Sequence, residues 1–96
     1  MRILVVDDSH TDRQYLHKIL SHKGYEIIEA TDGNNALSIL STEVPDLILL
    51  DVVMPGMNGF EVCNKIKGDS ETADVPVIFV TSKIAHEDKI RGFEAG

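Results

Sequence analysis

Four short apolar runs, rich in β-branched residues, constrain the fold of this chain more than any other feature. They are Ile3–Val6, Tyr25–Ala30, Leu47–Leu50 and Val75–Val80. Runs that are apolar at nearly every position are typical of strands buried on both faces of a parallel sheet. Pro45 and Pro76 lie at or just before the starts of two runs, where a missing N–H does least harm. The sequence therefore predicts four buried parallel strands.

The segments between these strands change to a helical period. Thr11 is a predicted N-cap for the first helix, and Gly24 suits the left-handed position that follows a helix. A fourth helix is predicted over residues 85–95. The first three helices carry these apolar stripes: Tyr15, Leu16, Ile19 and Leu20; Ala36, Leu37, Ile39 and Leu40; Phe60, Val62, Cys63 and Ile66.

The resulting order, βαβαβαβα, predicts an α/β fold with helices on both faces of the sheet. Right-handed crossovers leave few topologies, and a flavodoxin-like doubly wound parallel sheet with strand order 2-1-3-4 is the common one at this size. A length of 96 residues allows one domain, spanning 1–96, and not two.

The net charge of −7 argues against a nucleic-acid or anionic-membrane partner, because either would repel the chain. No apolar run approaches the ~20 residues that cross a bilayer. Asp7 and Asp8 end the opening apolar run, so it does not have the form of a signal peptide. The single cysteine, Cys63, cannot form an internal disulfide or a Cys-rich metal site. We therefore expect a cytoplasmic location.

Acidic residues follow two of the predicted strands at the edge where open parallel sheets form their sites. Asp7 and Asp8 follow the first strand, and Asp51 follows the third. If these strands are neighbours, the three carboxylates converge, and at ~4 Å with an effective dielectric of ~20 each pair repels by roughly 4 kcal/mol. Protonation would relieve this repulsion, and so would Mg²⁺, which prefers a few carboxylates with water and phosphate oxygens. The simplest structural interpretation is that Asp7 and Asp8 only cap a helix.

Asp51 is the candidate nucleophile, because a carboxylate beside a cation can attack a phosphoryl group and form an acyl phosphate. The structural alternative is a strand-end Asp that caps the next turn. The segment that follows favours the functional interpretation, since Pro55 and Gly56 form a tight turn near the site and Gly59 lets the next helix approach.

Three motifs together resemble the response-regulator receiver domain of two-component signalling, and the resemblance spans Arg2–Gly96. The motifs are Val5-Val6-Asp7-Asp8-Ser9, the segment Pro45–Gly59 with Asp51 inside it, and Pro76–Ser82. Their order and spacing match the family, which implies a switch controlled by phosphorylation.

The resemblance implies a role for each matching residue. Asp51 would accept a phosphoryl group from a histidine kinase or a phosphotransfer domain. Asp8, Asp51 and the backbone carbonyl of Val53 would bind Mg²⁺, with Asp7 acting mainly through a metal-bound water. Thr81 would be the switch hydroxyl that turns toward the phosphoryl group. The domain would phosphorylate and dephosphorylate only itself, so it would not be an enzyme, and it would signal to an output domain or effector protein.

The resemblance stops before the fifth strand of the family, its lysine and its last helix. We therefore expect a truncated receiver whose fourth strand leaves unpaired N–H and C=O groups at an open edge, which favours self-association. Lys83 lies two residues past Thr81, on another strand end, and we interpret it as a solvated loop residue rather than the missing lysine.

Two other classes of function stay open. A receiver remnant or engineered fragment that acts only as an interaction module is favoured by the missing lysine and opposed by the intact Asp8, Asp51 and Thr81. A haloacid-dehalogenase-type phosphatase would place a second acid two residues after its nucleophile, where this chain has Val53.

The histidines and the cysteine have structural interpretations. His10, His17, His22 and His86 show no ligand-like spacing, and we expect them at the surface. Cys63 lies on the apolar stripe of its helix, where we expect it to pack as a small apolar side chain.

Overall fold

A four-stranded parallel sheet with helices on both faces forms the part of the chain that this computed structural model describes, residues 1–54 and 56–80. The predictions for Thr81, Lys83 and the helix over 85–95 lie outside these residues. The elements in chain order are β1 (Arg2–Val6), α1 (His10–His22), β2 (Glu26–Ala30), α2 (Gly33–Leu40), β3 (Leu47–Leu50), α3 (Gly59–Gly68) and β4 (Val77–Phe79).

The strand order is β2-β1-β3-β4, and every neighbouring pair is parallel. This confirms the flavodoxin-like doubly wound order 2-1-3-4. Val6, the last residue of β1, pairs with Ala30 of β2 and with Leu50 of β3. The carboxyl ends of the three strands therefore meet at one edge of the sheet, the edge at which doubly wound folds bind their ligands.

Both faces of β1 and β3 are buried, which explains why their sequences are apolar throughout. Alternate strand residues point to a larger cluster beneath α2 and α3, centred on Leu4, Ile48 and Leu50. The other residues, among them Ile3 and Val5, form a smaller cluster beneath α1. Among the residues that the structure describes, the larger part of the core therefore lies on the α2–α3 face.

The N-cap of α1 is Ser9, and the prediction of Thr11 was wrong. The Ser9 backbone is extended (φ −84°, ψ 116°), as an N-cap requires, and its side-chain oxygen accepts the N–H of Asp12. Thr11 already lies inside the helix. At the other end Gly24 has φ +89°, so the predicted left-handed residue is confirmed.

Only half of the predicted apolar stripe of α1 faces the sheet. Leu16 and Leu20 pack against the smaller cluster, whereas Tyr15 is 66% and Ile19 37% exposed. Successive residues point about 100° apart around a helix, so two adjacent columns cannot both face a flat sheet. The exposed pair gives α1 an apolar strip on its outer surface.

β4 begins later than predicted, because Val75 forms its hydrogen bonds elsewhere. The N–H of Val75 donates to the carbonyl of Thr72, and the carbonyl of Val75 accepts the ammonium of Lys67 at 2.7 Å. Pairing with β3 therefore starts at Val77. β4 is an outer strand of the sheet formed by residues 1–80, and self-association through its edge stays a prediction. No helix in this part of the chain is long and apolar enough to cross a membrane.

Burial of the Cys63 side chain predicts a protected thiol. Cys63 is 3% exposed in the larger cluster, and this desolvation raises the pKa of the thiol above its ordinary value, despite an opposing effect of Lys67. We expect iodoacetamide at pH 8 to alkylate the native chain far more slowly than the urea-unfolded chain. Because the unfolded thiol ionises first as the pH rises, the free energy of unfolding should also fall at alkaline pH. Equal alkylation rates for the native and unfolded chains would contradict this burial.

Candidate functional site

Three carboxylates converge where the carboxyl ends of β1 and β3 meet. The N–H of Asp51 donates to the carbonyl of Val6 at 2.9 Å, which ties the residue after β3 to the end of β1. One carboxylate oxygen from each of Asp7, Asp8 and Asp51 lies within 4.8 Å of the others. Asp7 and Asp51 are 5% and 2% exposed, and Asp8 is exposed. The cluster is thus buried at its base and open to solvent at Asp8.

Hydrogen bonds on both sides of Asp7 shape the turn between β1 and α1. The backbone N–H of Asp7 donates to the carbonyl of Ala30, at the end of β2, at 3.1 Å. Its carboxylate Oδ1 accepts the N–H of Ser9 at 2.8 Å, while the side chain of Ser9 caps α1. Because Ser9 is the N-cap, the interpretation of Asp7 and Asp8 as mere helix caps fails.

The other half of the site is the segment after β3. The N–H of Val53 donates to Asp51 Oδ1 at 3.3 Å, so this aspartate does brace its own turn, as the structural alternative proposed. The N–H of Gly59, the first residue of α3, donates to the carbonyl of Val52 at 2.9 Å. A Cβ atom on Gly59 would clash with the carbonyl oxygen of Asp51 and lie 2.9 Å from Cα of Val52. Only glycine lets α3 begin this close to the site.

A largely buried arginine that the sequence interpretation missed also contacts the site. The side chain of Arg13 is 11% exposed, and its Nη1 donates to the backbone carbonyl of Asp7 at 2.8 Å. Its Nε donates to Glu29 of β2 at 3.2 Å, and the other oxygen of Glu29 lies 2.9 Å from Nδ1 of His17. His17 is therefore half-buried and bonded, rather than a plain surface residue. The sequence did carry a signal for this contact. Arg13 and Leu16 have i, i+3 spacing in α1, which places both residues on the side of the helix that faces the sheet.

The donor set of the acidic cluster fits Mg²⁺. All three side chains offer carboxylate oxygens, the hard ligands that Mg²⁺ selects over nitrogen or sulfur. Their mutual repulsion falls when a divalent cation lies among them. The predicted switch residue Thr81, and Lys83 with its predicted place in a solvated loop, lie outside the part of the chain that the structure describes.

Comparison with known proteins identifies matches along almost the whole chain. The family model for the response regulator receiver domain matches residues 3–96. The response regulator PleD of Caulobacter vibrioides is 45% identical over 95 residues, which cover 99% of this chain and 21% of PleD. Protein PilH of Pseudomonas aeruginosa is 40% identical over 95 residues, 99% of this chain and 78% of PilH. The chain thus spans about a fifth of PleD and most of PilH.

A solved structure gives the same result for the fold. The signal receiver domain of a signal transduction histidine kinase from Syntrophus aciditrophicus superposes with a TM-score of 0.86 and is 38% identical. The match covers 99% of this chain and 72% of that one. At this level of identity, the similarity extends beyond the fold to the sequence.

The contact between Gly59 and the site predicts opposite effects for two glycine-to-alanine changes within α3. Gly59→Ala should lower the free energy of unfolding by about 1–3 kcal/mol, because the added methyl group meets backbone that cannot yield cheaply. Gly68→Ala, where nothing lies within 4 Å of the added methyl group, should be neutral or stabilise by up to about 1 kcal/mol. Urea denaturation of both variants measures this difference. An unchanged stability for Gly59→Ala would show that α3 does not abut the site as described.

Proposed function

Because this chain belongs to the family of response-regulator receiver domains, we propose that it is the phospho-accepting switch of a two-component phosphorelay. The observation that carries the proposal is the convergence of Asp7, Asp8 and the buried Asp51 at one edge of the sheet. An oxygen of the Asp51 carboxylate attacks the phosphorus of a phosphohistidine on a histidine kinase or a phosphotransfer domain. An O–P bond forms, the N–P bond breaks, and its electron pair returns to the imidazole.

The neighbours of Asp51 orient this carboxylate for the attack and limit the access of water. The N–H of Val53 holds Asp51 Oδ1, and an exposure of only 2% slows hydrolysis of the acyl phosphate. Asp8, Asp51 and the carbonyl of Val53 would hold Mg²⁺, with Asp7 acting through a water, and the ion would supply positive charge that offsets the charge of the phosphoryl group.

Phosphorylation would convert this local chemistry into a signal. A phosphoryl group adds a charge of about −1.5 to −2 and three acceptor oxygens to a buried position. Such a group recruits hydrogen-bond donors, and the hydroxyl of Thr81 is the donor that the family resemblance assigns. The surface around β4 would then shift its population toward a form that an output domain or effector protein binds.

The partner that delivers the phosphoryl group should dock on α1. The exposed side chains of Tyr15 and Ile19 form an apolar strip on this helix, whose N-terminal end adjoins the acidic cluster. A helix of a histidine kinase or phosphotransfer domain could pack on this strip and bring its phosphohistidine to Asp51. This role would place the chain in the cytoplasm. Its only reactions would be on its own aspartate, so it would be a switch rather than an enzyme.

Phosphate uptake tests the proposed function directly. With Mg²⁺ and the small phosphodonor acetyl phosphate, the intact mass should rise by one phosphate, and the gain should disappear without Mg²⁺ or in Asp51→Asn. Asp46→Asn is the matched control, since Asp46 precedes the opposite end of β3 and binds the N–H of Arg2. No gain in mass with Mg²⁺ would contradict the proposal and favour a receiver that acts only as an interaction module. Steady release of phosphate without a stable adduct would instead favour a phosphatase.

The docking role of α1 predicts a change that affects one donor and spares the other. The donor for this test is the histidine kinase that phosphorylates the unmodified chain fastest. Ile19→Glu should slow phosphoryl transfer from this kinase roughly 30-fold, as loss of a central apolar contact does. Uptake from acetyl phosphate should be unchanged, because that donor needs no docking surface. Val44→Glu, at another exposed apolar residue, in the α2–β3 loop, is the control. Equal kinase transfer rates for both variants would show that the partner docks elsewhere.

A further inference from the structure

One largely buried cation, Arg13, connects the acidic turn to α1 and β2. Its side chain lies on the first turns of α1, is 11% exposed, and uses three nitrogens. Nη1 donates to the backbone carbonyl of Asp7 at 2.8 Å, Nε pairs with Glu29 at 3.2 Å, and Nη2 lies 3.3 Å from Nδ1 of His10. A guanidinium that makes three contacts, two of them partly shielded from solvent, is fixed more firmly than one in an exposed ion pair.

The bond to Asp7 acts on the peptide group that joins two of the three carboxylate residues. Ala30 accepts the N–H of Asp7 on one side, and Arg13 binds its carbonyl on the other. The bond to Ala30 holds the peptide group before Asp7 and the bond from Arg13 holds the one after it, so the Asp7–Asp8 peptide plane cannot rotate without breaking the Arg13 hydrogen bond. The direction in which the exposed Asp8 side chain leaves the turn is thereby restricted.

The pairing with Glu29 removes an electrostatic conflict. An unpaired guanidinium bound to the Asp7 carbonyl would repel any cation that approaches the cluster. Glu29 offsets that charge, and it is itself bonded to His17 on the next turn of α1. Arg13 can therefore hold the turn in place while its positive charge repels a bound metal ion only weakly.

We propose that Arg13 is a positioning residue that sets the Mg²⁺ affinity of the site by holding the Asp7–Asp8 turn in shape. This inference rests on the proposed function, since it assumes that the acidic cluster holds Mg²⁺. Removing an outer residue that orients metal ligands typically costs 10- to 100-fold in metal affinity. Arg13→Met keeps much of the apolar stem and removes every donor. Arg13→Lys keeps a cation that can still donate to the Asp7 carbonyl.

The test is a calorimetric titration of Mg²⁺ into the wild type, Arg13→Met, Arg13→Lys and Arg2→Met. Arg2 is the matched control, since it pairs with Glu26 and Glu43 at the opposite end of β1. We expect the dissociation constant for Mg²⁺ to rise about 10-fold or more in Arg13→Met, less in Arg13→Lys, and to stay unchanged in Arg2→Met. Urea denaturation beforehand confirms that each variant is folded at the temperature of the titration.

A second readout separates positioning from a general loss of structure. In Arg13→Met, the Mg²⁺ concentration that gives half the maximal rate of phosphate uptake from acetyl phosphate should rise by the same factor. The rate at saturating Mg²⁺ should stay close to wild type. A lower maximal rate with an unchanged half-saturating Mg²⁺ concentration, or unchanged Mg²⁺ binding in Arg13→Met, would overturn the inference and leave the proposed function standing. A wild-type chain that binds no Mg²⁺ would overturn both.

Discussion

The parallel pairing of β1 with β3 is the constraint on which the rest of this molecule depends. Val6 and Leu50 are the last residues of their strands and lie opposite one another, so the residues that follow both strands emerge together. A shift of one residue in this register would exchange the two faces of β3 and separate Asp51 from Asp7. The same apolar contacts that bury the sheet on both sides thus determine which carboxylates meet. The pairing of β1 with β3 therefore determines both the packing of the core and the position of the acidic cluster.

That arrangement is electrostatically unfavourable without a cation, and the surrounding contacts restrain it. Two of the three carboxylates are almost fully buried, and a hydrogen bond from the backbone holds one oxygen of each: Ser9 for Asp7 and Val53 for Asp51. Charged groups held together against repulsion are typical of sites that bind a metal or a phosphoryl group rather than of sites that add stability. The chain tolerates this repulsion because apolar burial on both faces of the sheet stabilises the fold.

Much of this structure could be predicted from residue patterns. The four strands, their order and the convergence of three aspartates all followed from apolar runs, and from where Asp7, Asp8 and Asp51 lie relative to them. The errors have local causes. Thr11 and Ser9 are both residue types that favour N-caps, and the extended backbone of Ser9 shows which of them caps α1. The start of β4 depended on a lysine side chain that binds the Val75 carbonyl, a tertiary contact with no signature in the strand itself.

Arg13 shows a further limit of sequence patterns. A polar residue on the sheet-facing column of a helix resembles a surface residue until β2 is known to present Glu29, and the turn after β1 the Asp7 carbonyl. The Asp51 half of the site abuts α3 through Gly59, on the face of the sheet that carries the larger cluster. The Asp7–Asp8 half depends on α1, which has no fully buried residue among those the structure describes. Elements with few buried contacts move at lower cost. The Asp7–Asp8 half of the site therefore depends on the hydrogen bonds of Arg13, whereas the Asp51 half depends on close packing against α3.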